Sequence, residues 1–366
     1  VGAAEQRHTD ENYMRMALSL AMRGTGTTSP NPRVGAVIVR DGRILGYGWH
    51  GCCGGPHAEV AAVKNAGCDI SGATVYVTLE PCCHYGRTPP CAQMLVEHQV
   101  KRVVVGMTDP NPLVNCRGIS LLADAGIDVS SGVLEGECKW LNRGFIRRMT
   151  LGRPWVTVKT ASSLDGDIAY RDRARQWITS ADSSEKVHMM RAENDALMTG
   201  VGTILADDPE LTVREAPGRT PLKVVLDRNL RTPACAKVLD SGNVLFFAGH
   251  KASSAKISLL QQKGACVELI APKSDGQLGL ILRKLCEKGV NYLMVEAGAC
   301  LTSSFLASGL TDEVALFIAP KFMGSGLRYT DGLEIAQTAL GIKKMEYSLC
   351  GRDLWIKGVL ACSPDL

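Results

Sequence analysis

Aromatic residues make up only 5% of this 366-residue chain, and neither sign of charge dominates: 41 Lys and Arg stand against 37 Asp and Glu, a net +4. A nucleic-acid channel needs a basic stripe interleaved with aromatic platforms, and no dense Lys/Arg run or aromatic cluster supplies one. No apolar run approaches the ~20 residues that span a bilayer. Neither nucleic acid nor membrane is therefore an expected partner. Val1–Asn12 is polar and lacks the apolar core of a signal peptide, and because the chain opens on Val1 in place of Met, Val1–His8 is given no functional weight. Also missing is a Gly-x-Gly-x-x-Gly after a strand, the usual fingerprint of a Rossmann dinucleotide site. Cysteine is not scarce. Fourteen are spread along the chain, and without a secretion signal they read as small buried hydrophobes in a reducing cytoplasm, a few of them free to bind metal.

The length suggests two domains, each large enough for a core of its own. In the first half, Asp10–Met22 has helical spacing, with Met14, Ala17, Leu18 and Ala21 on one face and Asp10 as its N-cap. Val34–Val39 and Ile44–Trp49 are short strands joined by the hairpin signal Arg40-Asp41-Gly42. Ala58–Asn65, Ala92–Glu97 and Ile119–Ala125 read as helices between strands Thr74–Thr78, Arg102–Gly106 and Asp128–Ser131. That alternation predicts a layered α/β domain with a largely parallel sheet. Gly152-Arg153-Pro154 breaks structure before a new strand, Trp155–Lys159. The second half alternates again, with strands at Ala196–Thr199, Lys223–Leu226, Val244–Phe247, Val267–Ile270, Tyr292–Glu296 and Val314–Ile318, and helices such as Leu278–Lys288 and Leu301–Ser308. The halves share no motif.

Chemistry concentrates first at His57-Ala58-Glu59, which opens a helix, at Pro81-Cys82-Cys83 after a strand, and at Pro89-Pro90-Cys91, which opens the next helix. The imidazole of His57 and the thiolates of Cys82 and Cys91 give a tetrahedral zinc three ligands and leave the fourth position for water. Helix starts favour thiolate through their free N–H groups. Zinc with two thiolates is formally neutral and acidifies water weakly, so a carboxylate, Glu59, is needed to move the proton. Two other readings stand beside this one: buried core cysteines, or a structural zinc closed by Cys83, His84, Cys52 or Cys53. Zinc deaminases commonly pair His-x-Glu with Pro-Cys-x-x-Cys. Here the second thiol comes nine positions after the first.

The longer run Thr78-Leu79-Glu80-Pro81-Cys82-Cys83-His84-Tyr85-Gly86-Arg87-Thr88-Pro89-Pro90-Cys91 resembles the deaminase half of bifunctional riboflavin-biosynthesis enzymes, as do Asn31-Pro32-Arg33-Val34-Gly35-Ala36 and Asp109-Pro110-Asn111-Pro112. The resemblance implies hydrolytic deamination of 2,5-diamino-6-ribosylamino-4(3H)-pyrimidinone 5′-phosphate by a cytidine-deaminase-like three-layer domain over residues 9–151. It assigns zinc ligation to His57, Cys82 and Cys91 and the proton shuttle to Glu59. Asn31 is the residue expected against the pyrimidine, since an amide both donates to and accepts from a base edge; the other reading is a turn residue before Pro32. Arg87 could cover the substrate phosphate.

In the second half two weaker junctions, Glu296-Ala297-Gly298-Ala299-Cys300-Leu301 and Thr199-Gly200-Val201-Gly202-Thr203, could each cradle a phosphate or be a tight turn. Lys159–Gly166, Gln176–Ser180, Leu205–Pro209, Leu211–Arg214, Val295–Gly298 and Ile318–Lys321 resemble the reductase half of the same family. This implies a dihydrofolate-reductase-like domain over residues 152–366, with NADPH reducing the opened ribosyl group to ribityl, and by analogy a homodimer. Carried over by position, Ser162, Trp177, Thr203, Asp207, Arg228, Gly298, Ala299, Cys300, Leu301, Thr302, Ser303 and Ser304 fall at the cofactor. Arg191, Leu211, Arg214 and Glu296 fall at the substrate, the arginines as phosphate or carbonyl donors. Arg175 stands where relatives often carry Ser, and is included among the substrate residues. After strand Lys223–Leu226, Asp227 is placed for a ribose hydroxyl and Arg228, with Arg231 beyond, for the 2′-phosphate of NADPH. The alternatives are a zinc deaminase of another nucleotide or of nucleic acid fused to a reductase, and a zinc-stabilised binding module.

Overall fold

The computed structural model describes residues 3–84, 90–112, 114–170, 177–270, 276–335 and 339–366. The chain packs as two units, one running to Gly152 and one from Arg153 to Asp365.

The first unit begins with α1 (Ala3–Ala21), followed by β1 (Gly35–Arg40), β2 (Arg43–Trp49), α2 (Ala58–Ala66) and β3 (Thr74–Leu79). Then come α3 (Cys91–Glu97), β4 (Arg102–Met107), α4 (Arg117–Asp124), β5 (Asp128–Ser131), α5 (Glu135–Leu141) and α6 (Arg143–Leu151). The sheet order is β2-β1-β3-β4-β5. It is mixed, not largely parallel as expected. β1 runs antiparallel to both β2 and β3, while β3, β4 and β5 are parallel. The cause is local: Asp41 and Gly42, both at positive φ, close a tight turn that forces β1 and β2 to oppose each other. Successive residues of β1 feed opposite layers. Ala36 and Ile38 pack with Ala58, Ala62, Ala92, Leu95 and Leu122 of α2, α3 and α4. Val37 and Val39 pack with Met14 and Ala17 of α1, Cys138 of α5 and Ile146 of α6. Three layers result, and the central strands β1, β3 and β4 are buried and largely apolar because both their faces are covered. Gly48 lets α2 lie against β2, since a Cβ there would sit 2.5 Å from the backbone N of Ala62.

Asp10 is not an N-cap. α1 starts seven residues earlier, and the Asp10 carboxylate is buried mid-helix, gripped by Arg102 Nη1 and Nη2 at 2.9 Å each and by the Tyr76 hydroxyl at 2.9 Å. A partner on β4 has taken the carboxylate that a cap would have used.

The second unit contains β6 (Trp155–Ser163), β7 (Asp167–Ala169), α7 (Ala181–Glu193), β8 (Ala196–Gly200), α8 (Val201–Asp207), β9 (Leu222–Leu226) and β10 (Val244–Gly249). It continues through α9 (Ser254–Gln262), β11 (Cys266–Ile270), α10 (Gln277–Glu287), β12 (Tyr292–Glu296), α11 (Ala299–Ala307) and β13 (Glu313–Ala319). It closes with β14 (Leu327–Arg328), β15 (Ile342–Cys350) and β16 (Asp353–Leu360). Nine strands form one sheet in the order β11-β10-β9-β8-β12-β6-β13-β16-β15. β11 through β13 are parallel, and the last two are antiparallel. Apolar cores line both faces of the parallel part. This is the dihydrofolate-reductase-like layout that was expected. The carboxyl ends of β8, β9 and β12, where such sheets bind ligands, carry Gly200, Leu226 and Glu296, and Lys159, midway along the longer β6, lies opposite Glu296.

Candidate active sites

In the first unit, three elements deliver three metal-binding side chains to one point. His57 is the N-cap of α2, Cys91 is the first residue of α3, and Cys82 follows β3. Their donor atoms all lie within 4.8 Å of one another. The Cys82 Sγ to His57 Nδ1 distance is 3.5 Å, and that from Cys91 Sγ is 3.3 Å. Ligands at zinc's usual ~2.0–2.3 Å bond lengths stand roughly 3.5 Å apart around a tetrahedron, so the set fits that ion. Among the described residues no further Cys, His or carboxylate joins the group. Cys83, His84, Cys52 and Cys53 thus close no fourth corner. The free N–H of Cys91 donates to Cys82 Sγ at 3.3 Å, as the end of a helix should. A hydrogen bond from Cys91 holds the Cys82 thiol down to about 4, and the same bond, with burial, pushes Cys91 up.

Glu59, in the first turn of α2, is almost wholly buried beside the cluster. Burial, then the neighbouring Cys82 thiolate, raises its carboxyl to about 7. A group poised there can both take up and release a proton. Asn31 has its amide held by a residue that the sequence reading missed, His50. His50 Nδ1 lies 2.9 Å from the Pro56 carbonyl oxygen, which only accepts, so Nδ1 carries the proton. Nε2 then accepts from Asn31 Nδ2 at 3.1 Å. The Asn31 Oδ1 is left as the acceptor for a ligand. Burial holds His50 below its usual range and so keeps it neutral, and its ring stands edge-on to His57 with centroids 5.7 Å apart.

Behind the cluster, Glu80 acts as a clamp. Its two oxygens accept from the backbone N–H groups of Asp109 at 3.1 Å, Cys116 at 3.0 Å, Gly118 at 2.9 Å and Ile119 at 3.3 Å. One carboxylate thereby ties the start of α4 and the Asp109 loop to the segment that carries Cys82. Gly118 permits the approach, because a Cβ there would overlap the Pro81 carbonyl. Arg87 lies outside the described residues.

In the second unit a cavity of about 1770 Å³ opens at the strand ends. It exceeds a usual small-molecule pocket of ~300–1,000 Å³ and has room for a dinucleotide beside a second ligand. Of the residues expected here, Trp177, Arg191, Thr203, Asp207, Leu211, Arg228, Glu296, Gly298, Ala299, Cys300, Leu301 and Ser304 line it. Gly200 and Gly298 are the N-caps of α8 and α11, so both Gly junctions turn helix starts toward it. Ser162, Thr302 and Ser303 do not line it. They are buried, and the Thr302 and Ser303 hydroxyls donate to the carbonyls of Ala297 and Asp331. Arg214 is half-exposed and donates to Glu210 Oε2 at 2.7 Å. Arg175 lies outside the described residues.

Arg191 grips Glu296 through Nε at 2.7 Å and Nη2 at 3.0 Å. Lys159 Nζ approaches the same carboxylate to 3.5 Å. Burial would raise Glu296, but these two cations outweigh it and hold the carboxyl down at about 2. Lys159 itself is lowered by burial, against the pull of Glu296. It too lines the cavity, and the sequence reading had not singled it out. A cation within the apolar strand Trp155-Val156-Thr157-Val158-Lys159 was the available signal. Asp227 does not face a ribose. It is fully buried and closes its own turn, accepting from the Thr232 N–H and hydroxyl at 2.8 Å each. Arg228 does point into the cavity, with Arg231 and Arg283 nearby, and donates to Gln277 Oε1 at 2.7 Å.

Fold and site together define a class: a deaminase with a zinc-binding His/Cys/Cys cluster joined to a reductase on a separate sheet. The family model for the cytidine and deoxycytidylate deaminase zinc-binding region matches residues 7–107, and that for the RibD C-terminal domain matches residues 154–356. The chain is 43% identical over 352 residues to riboflavin biosynthesis protein RibD of Aquifex aeolicus, covering 96% of this chain and 98% of that one. It is 41% identical to RibD of Escherichia coli, covering 94% and 98%. The solved structure of Acinetobacter baumannii RibD is similar with a TM-score of 0.89 at 38% identity, over 97% of this chain and 100% of that one. A deaminase/reductase structure from Thermotoga maritima gives 0.85 at 36%, with the same coverage. The chain belongs to the RibD family, the bifunctional deaminase–reductases of riboflavin biosynthesis.

Proposed function

We propose that this chain carries out two consecutive steps: hydrolytic deamination of 2,5-diamino-6-ribosylamino-4(3H)-pyrimidinone 5′-phosphate, and NADPH-dependent reduction of the ribosyl group to ribityl. The deaminase occupies residues 9–151 and the reductase 152–366. The protein works in the cytoplasm as a homodimer on a free nucleotide. The observation that carries the reading is the convergence of His57, Cys82 and Cys91 beside a buried Glu59. The T. maritima relative's title names the same pair of activities, on a diaminohydroxyphosphoribosylaminopyrimidine and a 5-amino-6-(5-phosphoribosylamino)uracil.

His57, Cys82 and Cys91 would hold one zinc per chain, which would supply Lewis-acid activation of the attacking water. Glu59 takes a proton from that water and returns it to the amino group that leaves as ammonia. Asn31 accepts from an N–H of the pyrimidine edge. In the second unit NADPH would supply the hydride. Thr203, Asp207, Gly298, Ala299, Cys300, Leu301 and Ser304 would hold its phosphates and ribose, with Trp177 beside them and Arg228 as the cation for the 2′-phosphate, and Ser162, Thr302 and Ser303 would support the site from behind. Lys159, Arg191, Glu296 and Leu211 would bound the sugar end, and the family resemblance assigns Arg214, together with Arg175 outside the described residues, to the substrate.

The test uses the full chain. Glu59→Gln keeps about one zinc per chain by elemental analysis and slows ammonia release by ~10²–10⁴-fold. Cys82→Ser and Cys91→Ser lower the zinc content and end deamination. Full zinc retention in both cysteine variants would sink the ligand assignment. Undiminished deamination by Glu59→Gln would sink the proton shuttle.

A further inference from the structure

The loop that carries Asn31 has few backbone donors with which to hold its own shape. Of Pro30, Asn31, Pro32 and Arg33, the two prolines have no N–H. The Asn31 N–H is used inside the loop, on the Thr28 carbonyl oxygen at 2.9 Å. The Arg33 N–H is the remaining donor, and it goes to a side chain far along the sequence, Asn142 Oδ1, at 2.8 Å. Asn142 Nδ2 donates in turn to the carbonyl oxygen of the same residue, Arg33, at 2.9 Å. One amide thus satisfies both backbone groups of one residue, as the neighbouring strand of an antiparallel pair would. From α6, Arg148 Nη2 donates to the Pro30 carbonyl oxygen at 3.1 Å. The backbone is therefore gripped on both sides of Asn31-Pro32.

The element that grips it is itself well fixed. Asn142 is 1% exposed and is the N-cap of α6. Its own N–H donates to the carbonyls of Cys138 and Lys139, and its carbonyl accepts from the Ile146 N–H. Ile146 packs with Val37 and Val39 of β1 and with Met14 and Ala17 of α1. The core layer that seats β1, into which the loop runs, also seats α6.

We propose that Asn142 is a positioning residue of the deaminase: acting through the Arg33 backbone, and seconded by Arg148, it holds the Asn31 side chain at the pyrimidine edge. The proposal rests on the reading of Asn31 given above. A side chain that binds substrate has to be held within ~0.5 Å of its productive place by the residues around it. Here the work divides in two. His50 sets the rotation of the Asn31 amide, and Asn142 sets the backbone from which that side chain projects. The bonds from Asn142 and Arg148 fall on Arg33 and Pro30, the residues that flank Asn31-Pro32, so they fix the direction of a side chain more than the course of a strand.

A double-mutant cycle on the zinc-loaded full chain tests this. Asn142→Leu, close in size and unable to make either bond, raises KM for deamination roughly 2- to 10-fold, the worth of one neutral hydrogen bond to substrate. Zinc content, kcat and NADPH oxidation with the already deaminated substrate stay within about twofold, as loss of uniform binding requires. Asn31→Ala raises KM by at least as much. Added to Asn31→Ala, Asn142→Leu has no further effect, because the side chain it positions is gone. Arg148→Leu, on the half-buried side of α6, decides the matter should Asn142→Leu fail to hold zinc. It empties no buried position and gives the same pattern. Effects that add in the cycle, a fall in kcat at constant KM, or a wild-type KM beside a raised one in Asn31→Ala overturn the proposal and leave Asn31 in place. A wild-type KM in Asn31→Ala overturns the reading of Asn31 and this proposal together.

Discussion

At the scale of single residues, side chains of one type divide sharply by what holds them. Arg191 is locked onto Glu296, Arg214 stands half in solvent with Glu210, and Arg228 reaches into the cavity and donates to the side-chain amide of Gln277. A guanidinium held by a neutral amide keeps its charge for an anion. Arg228→Ala therefore removes a charge-assisted contact worth about 1.5–3 kcal/mol, a roughly ten- to hundredfold loss for NADPH with NADH little changed. Steady-state kinetics with both cofactors checks it, and an equal loss for both would take the 2′-phosphate away from Arg228. His50 acts through another residue. His50→Leu leaves the Asn31 amide free to turn over, so KM for deamination should rise roughly 2- to 10-fold, the worth of one neutral hydrogen bond, with zinc content unchanged. His50→Gln, which restores an acceptor in place of Nε2, recovers the loss. A fall in kcat at constant KM, unrescued by Gln, would rule out positioning.

Between elements, the pair Asp10–Arg102 fastens α1 to β4. Burial would raise Asp10, but hydrogen bonds from Arg102, Gln6 and Tyr76 more than offset it and leave the carboxyl below its ordinary 3.8. With the folded value depressed, the stabilisation is complete above the unfolded value and fades as pH falls through the folded one. Asp10→Asn should therefore destabilise the first unit by about 1.5–3 kcal/mol at neutral pH. The gap to wild type should hold steady from about pH 8 to 5 and close below about pH 4. Urea midpoints across that range measure it, and a gap independent of pH would show that shape, not charge, accounts for the contact. The same bond explains why α1 extends past its expected start: Asp10 faces the sheet and caps nothing.

For the molecule as a whole, two units with separate cores imply two chemistries that can be switched off separately. Removing zinc with a chelator should abolish deamination and leave NADPH oxidation with the already deaminated substrate within about twofold, because the His57, Cys82 and Cys91 set belongs to the first unit and the described lining of the cavity to the second. Adding zinc back should restore the first activity. Parallel loss of both would mean that the metal holds the two halves together, and the functional boundary near Gly152 would have to be redrawn.

Sequence alone carried residue chemistry and local period. His57-Ala58-Glu59 and the spaced Pro-Cys pairs named the donor set, and apolar runs such as Tyr292–Glu296 announced covered strands. The two Gly junctions marked helix starts that do face a cavity. Tertiary structure decided whatever depended on a distant partner. Only the packing of α3 beside β3 brings Cys91 within reach of Cys82, and only the pairing of β6 with β12 and the packing of α7 against that sheet set Lys159, Arg191 and Glu296 around one point. Thr302 and Ser303 sit one and two places after Leu301 yet turn into the core, because helix rotation and the neighbouring sheet choose the face. β15 went unread for a related reason: its apolar side chains alternate with Lys, Glu and Ser and are exposed, so the strand lacks the buried run that marked the others. Identity and spacing are written along the chain, whereas which side of an element meets which neighbour is settled by pairings between residues far apart in sequence, and no local pattern records those.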